Sequence, residues 1–549
     1  MKVSGAARWW GFLLVLLATA LCLAPSTLGP PNVFDEGFIA TGAMLARRGA
    51  LPIRDFFVIY GPGQYYFVAA FFALFGEDLF FMRASHLLVM GLLGGAVFWL
   101  SALLARGRWR LIVFSTLSFL LVARYVRLMP GYAALLASLW LFGACILLSS
   151  ALATGSRSRL WAASLCAGMA GLVRWDFGVF GMLTLSLTVI AAQQLRGLPW
   201  RRTAGDVAGA FLPALLLLAA GFLPFLLAGD ALRWFDEVPR FLMFEFKTWR
   251  GLDFASPALA DALQGRNLVT ALPKLVYVAL PPSTALATAA WALWRLRRGR
   301  AAALDRADAL ALALALVALT LCNQMRVRPG WPQGLPAFVA VLPLIAYGLA
   351  RTLPRADALR RALAAGFIPV AGVMAAGLLW VLVHDLREAT APQLATELPR
   401  ATWMWASPLP RERESWSNYV ALVRHVQQAT AADEAIFSGV GDSSRLIVND
   451  PMLYFLTGRR PATRWMEMEP GLSNTERGQR EIVAELQARR VRVAVLWNIL
   501  SSEPNATSKS NGVRILDEYV RQNFALLKSY GSYDLLVRRP AAESPNSTP

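Results

Sequence analysis

The sequence predicts a polytopic α-helical membrane protein carrying a small C-terminal α/β domain. Three observations carry that prediction. The 549-residue chain is 56% hydrophobic, with a mean hydropathy of +0.46, an apolar content above that of ordinary soluble domains. Its apolar runs recur at near-bilayer length as far as about residue 385 and then stop. Beyond that point, short apolar clusters alternate with amphipathic helical patterns.

Run length places about eleven spanning segments, at 9–28, 82–104, 110–123, 132–151, 160–174, 177–195, 207–228, 272–294, 307–322, 334–350 and 362–384. The first follows Lys2 and Arg8 and resembles a signal peptide, but "LAPSTLG" is a poor cleavage site, so it reads as a helix. Basic loops at 106–110, 157–159, 196–202, 295–300 and 351–361 all fall on the side of the N-terminus. The positive-inside rule therefore puts the N-terminus in the cytoplasm and the C-terminal domain outside; the expected location is a bacterial inner (plasma) membrane, with that domain periplasmic or extracellular. The net charge of +19 is then a matter of lipid headgroups and lipid phosphates, not nucleic acid.

The polar remainder forms a second domain, 386–540, with a disordered tail at 541–549. Strands are expected at 434–440, 491–497 and 533–539, and helices at 418–430, 479–490 and 513–524. Asn505-Ala506-Thr507 matches a glycosylation sequon and reads as a chance match. Cys22, Cys145, Cys166 and Cys322 all lie in apolar segments, so a disulfide framework or cysteine metal site is not expected. His86, His384 and His425 lack zinc-ligand spacing.

The chemistry concentrates in the first outer loop, "VFDEGFIATGAMLARRGALPIRDFFVIYGPG". Asp35 fits the N-cap of a helix over 36–49, Glu36 its first turn, and Gly49 its stop. Arg47 and Arg48 would complement the dipole. A second helix, 64–76, is too short to span and reads as interfacial or re-entrant. Two membrane-edge helices thus return acids and arginines to the lipid surface. Arginines on an outer face run against the usual charge bias, and an anionic ligand there would explain them. A sugar on a polyprenyl phosphate fits: its tail stays in the bilayer and its phosphate sits at the edge. Its transfer needs a carboxylate to orient and deprotonate an acceptor hydroxyl, and cations to hold the leaving phosphate. Asp35 is the expected base, with Glu36 its helper or the alternative base.

The order of features (first helix, "DE", a helix ending "RRGALP", "RDFFVIYGP", a short aromatic helix ending "LFG", then Arg83) resembles the GT-C membrane glycosyltransferases. That superfamily includes the protein O-mannosyltransferases and lipid A aminoarabinose transferases. The resemblance is most specific over residues 30–90. It implies a polyprenyl-phosphate sugar donor, an inverting transfer and a catalytic aspartate in the first outer loop, at Asp35. The acid–lysine pair expected before the second loop helix is absent: Tyr60-Gly61 precede Pro62, and the nearest acid is Asp55. Arg54 or Arg83 is the expected substitute.

Further candidate donor contacts are Arg47, Arg48 and Tyr60, the Arg174–Asp176 pair in "GLVRWDFGVF", and Arg326 and Arg328 in "NQMRVRPGWPQG". Arg124 and Arg127 share the outer face. Membrane-edge charges of this kind are functional candidates by default, and a hairpin cap or headgroup contact is the plain structural alternative. The loop "RWFDEVPRFLMFEFKTWRG" reads either as a lid or acceptor-binding loop or as an interfacial amphipathic helix. The sequence leaves sugar, acceptor (protein, lipid or glycan) and any divalent metal unspecified. A lipid-linked sugar flippase would show broken mid-membrane helices in repeated halves; a non-catalytic scaffold sharing the fold is the other alternative.

Overall fold

The structure is a computed structural model that describes residues 5–105, 107–126, 130–229, 231–253, 255–298, 305–352, 371–380, 383, 398–402 and 410–540. Arg127, His384, most of the basic loop 351–361, most of the expected span 362–384 and the tail lie outside these residues.

Helix α1 (Gly5–Leu23) leads into the first loop, which holds α2 (Asp35–Arg47) and α3 (Pro62–Phe75). The two loop helices expected from sequence are therefore present. The bundle continues through α4 (Leu79–Leu104), α5 (Trp109–Val126), α6 (Ala133–Thr154), α7 (Arg157–Val173), α8 (Trp175–Gln194) and α9 (Trp200–Ala228). Short helical turns fill 231–263, followed by α10 (Leu268–Arg298), α11 (Arg306–Leu321) and α12 (Trp331–Thr352). Ten of the expected spans coincide with a described helix. Among the described residues, 8 helices are long and apolar enough to cross a membrane. Helix α7, of 17 residues, falls short of that mark.

The C-terminal domain holds a five-stranded mixed sheet of order β2-β1-β3-β5-β4. The strands are β1 (Ala435–Val440), β2 (Arg460–Pro461), β3 (Val493–Trp497), β4 (Phe524–Tyr530) and β5 (Tyr533–Arg538). β1 pairs in parallel with β2 and β3, whereas β5 lies antiparallel between β3 and β4. Helices α13 (Pro410–Ala429), α14 (Met452–Thr457), α15 (Glu476–Ala488) and α16 (Ile515–Asn523) complete it. The apolar faces of α13, α15 and α16 pack with the sheet into a core that includes Leu422, Ile436, Ile482, Val495 and Leu516.

That core is continuous with the first loop. Phe38, Met44, Phe56, Phe57 and Tyr65 belong to the same buried cluster as Met452, Phe455 and Trp465. Helix α2 is therefore not laid open on a membrane surface. Residues Glu36–Ala46 are all buried, Thr41 Oγ1 donates to the Pro451 carbonyl at 2.7 Å, and an added Cβ at Gly37 would lie 2.4 Å from the Met452 nitrogen. The C-terminal domain sits directly on the helix that carries the acid pair.

Candidate active site

The N-cap expectation for Asp35 is corrected. Asp35 is the first residue of α2, and Asn32 does the capping: its Oδ1 accepts from the Phe34 and Asp35 nitrogens at 3.1 and 2.9 Å. Its Nδ2 donates to Asp35 Oδ2 at 2.7 Å. Because another residue satisfies the helix end, the Asp35 carboxylate is left with capacity for chemistry. Burial pushes its pKa above the ordinary value; Arg250, the Asn32 hydrogen bond and Arg328 pull against that rise. Behind it, Gly131 closes against the backbone, where an added Cβ would meet the Asp35 carbonyl oxygen at 2.5 Å. The Gly131 N–H donates to His86 Nε2 at 2.8 Å. His86 is thus a buried support two contacts behind Asp35.

Glu36 does different work. It is 5% exposed, and Arg83 is 1% exposed. Arg83 donates from Nε and Nη2 to the two Glu36 oxygens at 2.9 and 3.1 Å. Its remaining donors reach the carbonyls of Thr27, Gly29 and Pro30 at 2.8, 2.6 and 3.2 Å. The whole guanidinium fork is used inside the protein, joining α4, the end of α1 and the start of α2. This geometry makes Arg83 and Glu36 a framework pair.

Two arginines, Arg250 and Arg328, act on Asp35, and a third, Arg174, stands beside Tyr60. Arg250, from the long loop, stacks over Phe34 at 5.4 Å and pairs with Glu469 at 3.1 Å. Arg328 pairs with Glu503 at 2.5 Å and donates to the Arg250 carbonyl at 3.2 Å. Arg174 forms a two-pronged pair with Asp176 at 2.9 and 3.1 Å and lies over the Tyr60 ring at 5.2 Å. Tyr60 in turn is 6.0 Å, ring to ring, from Phe38, one turn past Asp35. The C-terminal domain adds a further carboxyl, Glu467, 2% exposed. Its Oε2 has no hydrogen-bond partner, and nor does the nearby Tyr65 hydroxyl. Burial, with Glu469 and Asp35 close by, pushes the Glu467 pKa well above the ordinary value.

The other predicted residues lie elsewhere. Arg47 and Arg48 both pair with Glu77, at 2.9 and 3.0 Å. At helical rise they stand about 18 Å from Asp35, the length of α2. Arg48, Arg54 and Asp55 line a cleft of about 390 Å³ with Arg460, Arg464 and Arg489 of the C-terminal domain. Arg54 spends two donors on Asp55, each at 2.7 Å. Arg326 donates to Asn323 at 3.0 Å and lines another cavity, with Lys247 and Asp253. Among the described residues, no three His, Cys, Asp or Glu side chains converge as a metal ion would require.

No family model matches the sequence, and no curated protein sequence does. Solved structures do match in shape. Apo ArnT from Cupriavidus metallidurans aligns with a TM-score of 0.53 at 14% identity, covering 97% of this chain and 98% of that one. The same enzyme bound to undecaprenyl phosphate aligns at 0.50, with the same identity and coverage. The chain shares the fold of ArnT. A looser likeness is AglB from Archaeoglobus fulgidus, an archaeal oligosaccharyltransferase, at TM-score 0.46 and 13% identity, over 100% of this chain and 75% of that one.

Within this fold, the predicted Asp35, Tyr60, Arg174, Asp176 and Arg328 gather in one region. Arg250 joins them from the loop read as a lid or acceptor-binding segment, and Asn32, Gly131, Glu467, Glu469 and Glu503 join without having been singled out.

Proposed function

We propose that this protein is a membrane glycosyltransferase. It moves a sugar from a polyprenyl-phosphate carrier to an acceptor on the side of its C-terminal domain, with inversion at the anomeric carbon. The observation that carries this reading is Asp35: a carboxylate at the bundle's end, relieved of capping by Asn32 and faced by Arg250 and Arg328. The GT-C fold supports the same class of reaction, and the ArnT structure with undecaprenyl phosphate supports a carrier of that type.

In the proposed step, the acceptor oxygen attacks the anomeric carbon while the carbon–oxygen bond to the phosphate breaks. The electron pair leaves with the polyprenyl phosphate, and the acceptor proton passes to Asp35. An aspartate is a weak base, so its contribution is mainly orientation, with proton acceptance late in the step. Arg174 and Arg328 are assigned to the developing phosphate charge, where preorganised cations lower the barrier. Arg250 is assigned to holding Asp35 ionised. Arg47, Arg48, Arg54, Asp55 and Arg326 are assigned to the outer rim, away from the reacting atoms. The C-terminal domain covers the site and contributes Glu467 and Glu469 to its wall.

The test is Asp35→Asn in the full-length protein. The asparagine oxygen still accepts from Asn32, so the fold is retained. Transfer from the lipid-linked donor is expected to fall by at least about a hundredfold, the scale of a lost general base. Full transfer by the variant would remove Asp35 from the reaction.

A further inference from the structure

The face opposite Asp35 holds a second built feature. Where α7 and α9 begin, a cavity of about 510 Å³ opens between α6, α7, α8 and α9. Its charged lining is Arg157, Arg196, Arg201, Arg202 and Asp206. The single carboxylate is engaged by a neutral group, since Gln193 Nε2 donates to Asp206 Oδ2 at 2.5 Å. Among the described residues none of the four arginines makes an ion pair, unlike Arg47, Arg83, Arg174, Arg250 and Arg328 at the other end.

Local backbone structure adds to the positive potential. Helices α7 and α9 both present their N-termini here, starting at Arg157 and Trp200. Free N–H groups and the helix dipole favour an anion at such ends. On α7 the Ser156 Oγ already accepts from the Arg159 nitrogen at 3.4 Å, whereas on α9 Pro199 stands at the cap position without a side-chain hydrogen bond to the first turn.

The wall above the cavity is apolar and unpartnered. Trp161 and Leu165 of α7 are 54% and 44% exposed, and Leu212, Leu215 and Leu216 of α9 are also exposed. Trp200 stands at the level of the cavity, 61% exposed, where indole rings favour a membrane interface. A basic pocket below a lane of lipid-facing side chains matches a molecule with an anionic head and an apolar tail. Setting membrane orientation would need the arginines only to lie on one side. It would not need four of them to converge unpaired on one cavity.

We propose that this cavity binds a phosphate group, presented by an anionic phospholipid of the leaflet opposite the active site. The arginines hold the phosphate oxygens, the N-terminal ends of α7 and α9 add their dipoles, and the acyl chains lie along Trp161, Leu165 and the exposed leucines of α9. The site is about 25 Å from the Asp35 end, the length of α7 at helical rise. It therefore stands or falls independently of the proposed transfer.

The test uses the purified full-length protein and native mass spectrometry, with phosphatidylglycerol, phosphatidylcholine and inorganic phosphate as separate probes. Wild type is expected to retain phosphatidylglycerol over phosphatidylcholine. Arg157→Gln/Arg201→Gln should lose that retention by about tenfold or more, as expected for removing charged hydrogen-bond donors to an anion. Arg297→Gln, an exposed arginine at the same end and outside the cavity, should keep it. Equal retention by the double variant overturns the site. Inorganic phosphate binding as tightly as the lipid overturns the lipid as its source and leaves a soluble phosphate compound. Should the double variant not fold, wild type alone decides: adding phosphatidylglycerol to phosphatidylcholine nanodiscs should raise its unfolding temperature, and no rise would overturn the proposal.

Discussion

Replacing Arg83 by alanine separates a framework role from a ligand-binding role. Arg83 and Glu36 are both nearly inaccessible, and the guanidinium makes two hydrogen bonds to the carboxylate and three to carbonyls. Removing one partner of a buried ion pair costs about 3–5 kcal/mol, because the other charge stays buried without compensation. Here the carbonyls of Thr27, Gly29 and Pro30 also lose their donor, adding roughly 1 kcal/mol or more. A loss near 5 kcal/mol is therefore expected, comparable with the whole stability of many domains. Glu36→Gln keeps a hydrogen-bonding side chain and should cost less. In Arg83→Ala/Glu36→Gln no uncompensated carboxylate remains, so the double variant should be more stable than the sum of the single losses implies. The coupling should be on the order of 2 kcal/mol. Thermal and denaturant unfolding in detergent read these values, with undecaprenyl phosphate binding measured in parallel. A stable Arg83→Ala protein that has lost the carrier would refute the framework role and make Arg83 a lipid-phosphate contact.

Other outcomes follow from the same geometry. The acid limb of the pH–rate profile should lie above the ordinary aspartate range, since burial raises the Asp35 pKa and the base must be ionised. Arg250→Met removes the largest influence opposing that rise and should move the limb to still higher pH; an unmoved limb would take Arg250 away from Asp35. Asp450, fully buried in the C-terminal domain, has its pKa pushed up to about 7. Protonation is then favoured in the folded state, so the stability it contributes is complete below about pH 4 and lost as pH rises to 7, by about 4 kcal/mol in total. Asp450→Asn should flatten the unfolding-temperature profile over that window, and an unchanged profile would contradict the burial argument. Gly131→Ala places a methyl group against the Asp35 carbonyl, at a residue with φ of +94°. It should lower kcat more than carrier binding, and unchanged kcat would show that the backbone of α2 yields there freely.

Much of this arrangement can be read from the order of residues. Apolar run length marks the helices because a bilayer fixes their span. The acid pair, "RRG" and the glycine–proline turn delimit α2 and α3 because capping and helix termination are local. Gly49 does adopt the left-handed backbone expected of a helix stop, with φ of +87°. Strand β4 is harder to see: it follows α16 without a turn signal, and its central residues are exposed at a sheet edge. Arg83 looks like a membrane-edge cation from sequence, and only the tertiary fold shows Glu36 and three carbonyls closing around it. Asp35 looks like a cap until Asn32, three residues earlier, is seen to occupy that role. Arg250, Glu467 and Glu469 reach the site across hundreds of residues, a separation that no local pattern encodes.

The most direct test of the central claim is mass spectrometry of lipids that co-purify with the wild type and with Asp35→Asn, alongside transfer assays on both. The account predicts a polyprenyl-phosphate sugar enriched on the inactive variant, held where transfer can no longer consume it. An Asp35→Asn protein that transfers sugar as well as the wild type, and carries no excess of donor, would contradict it.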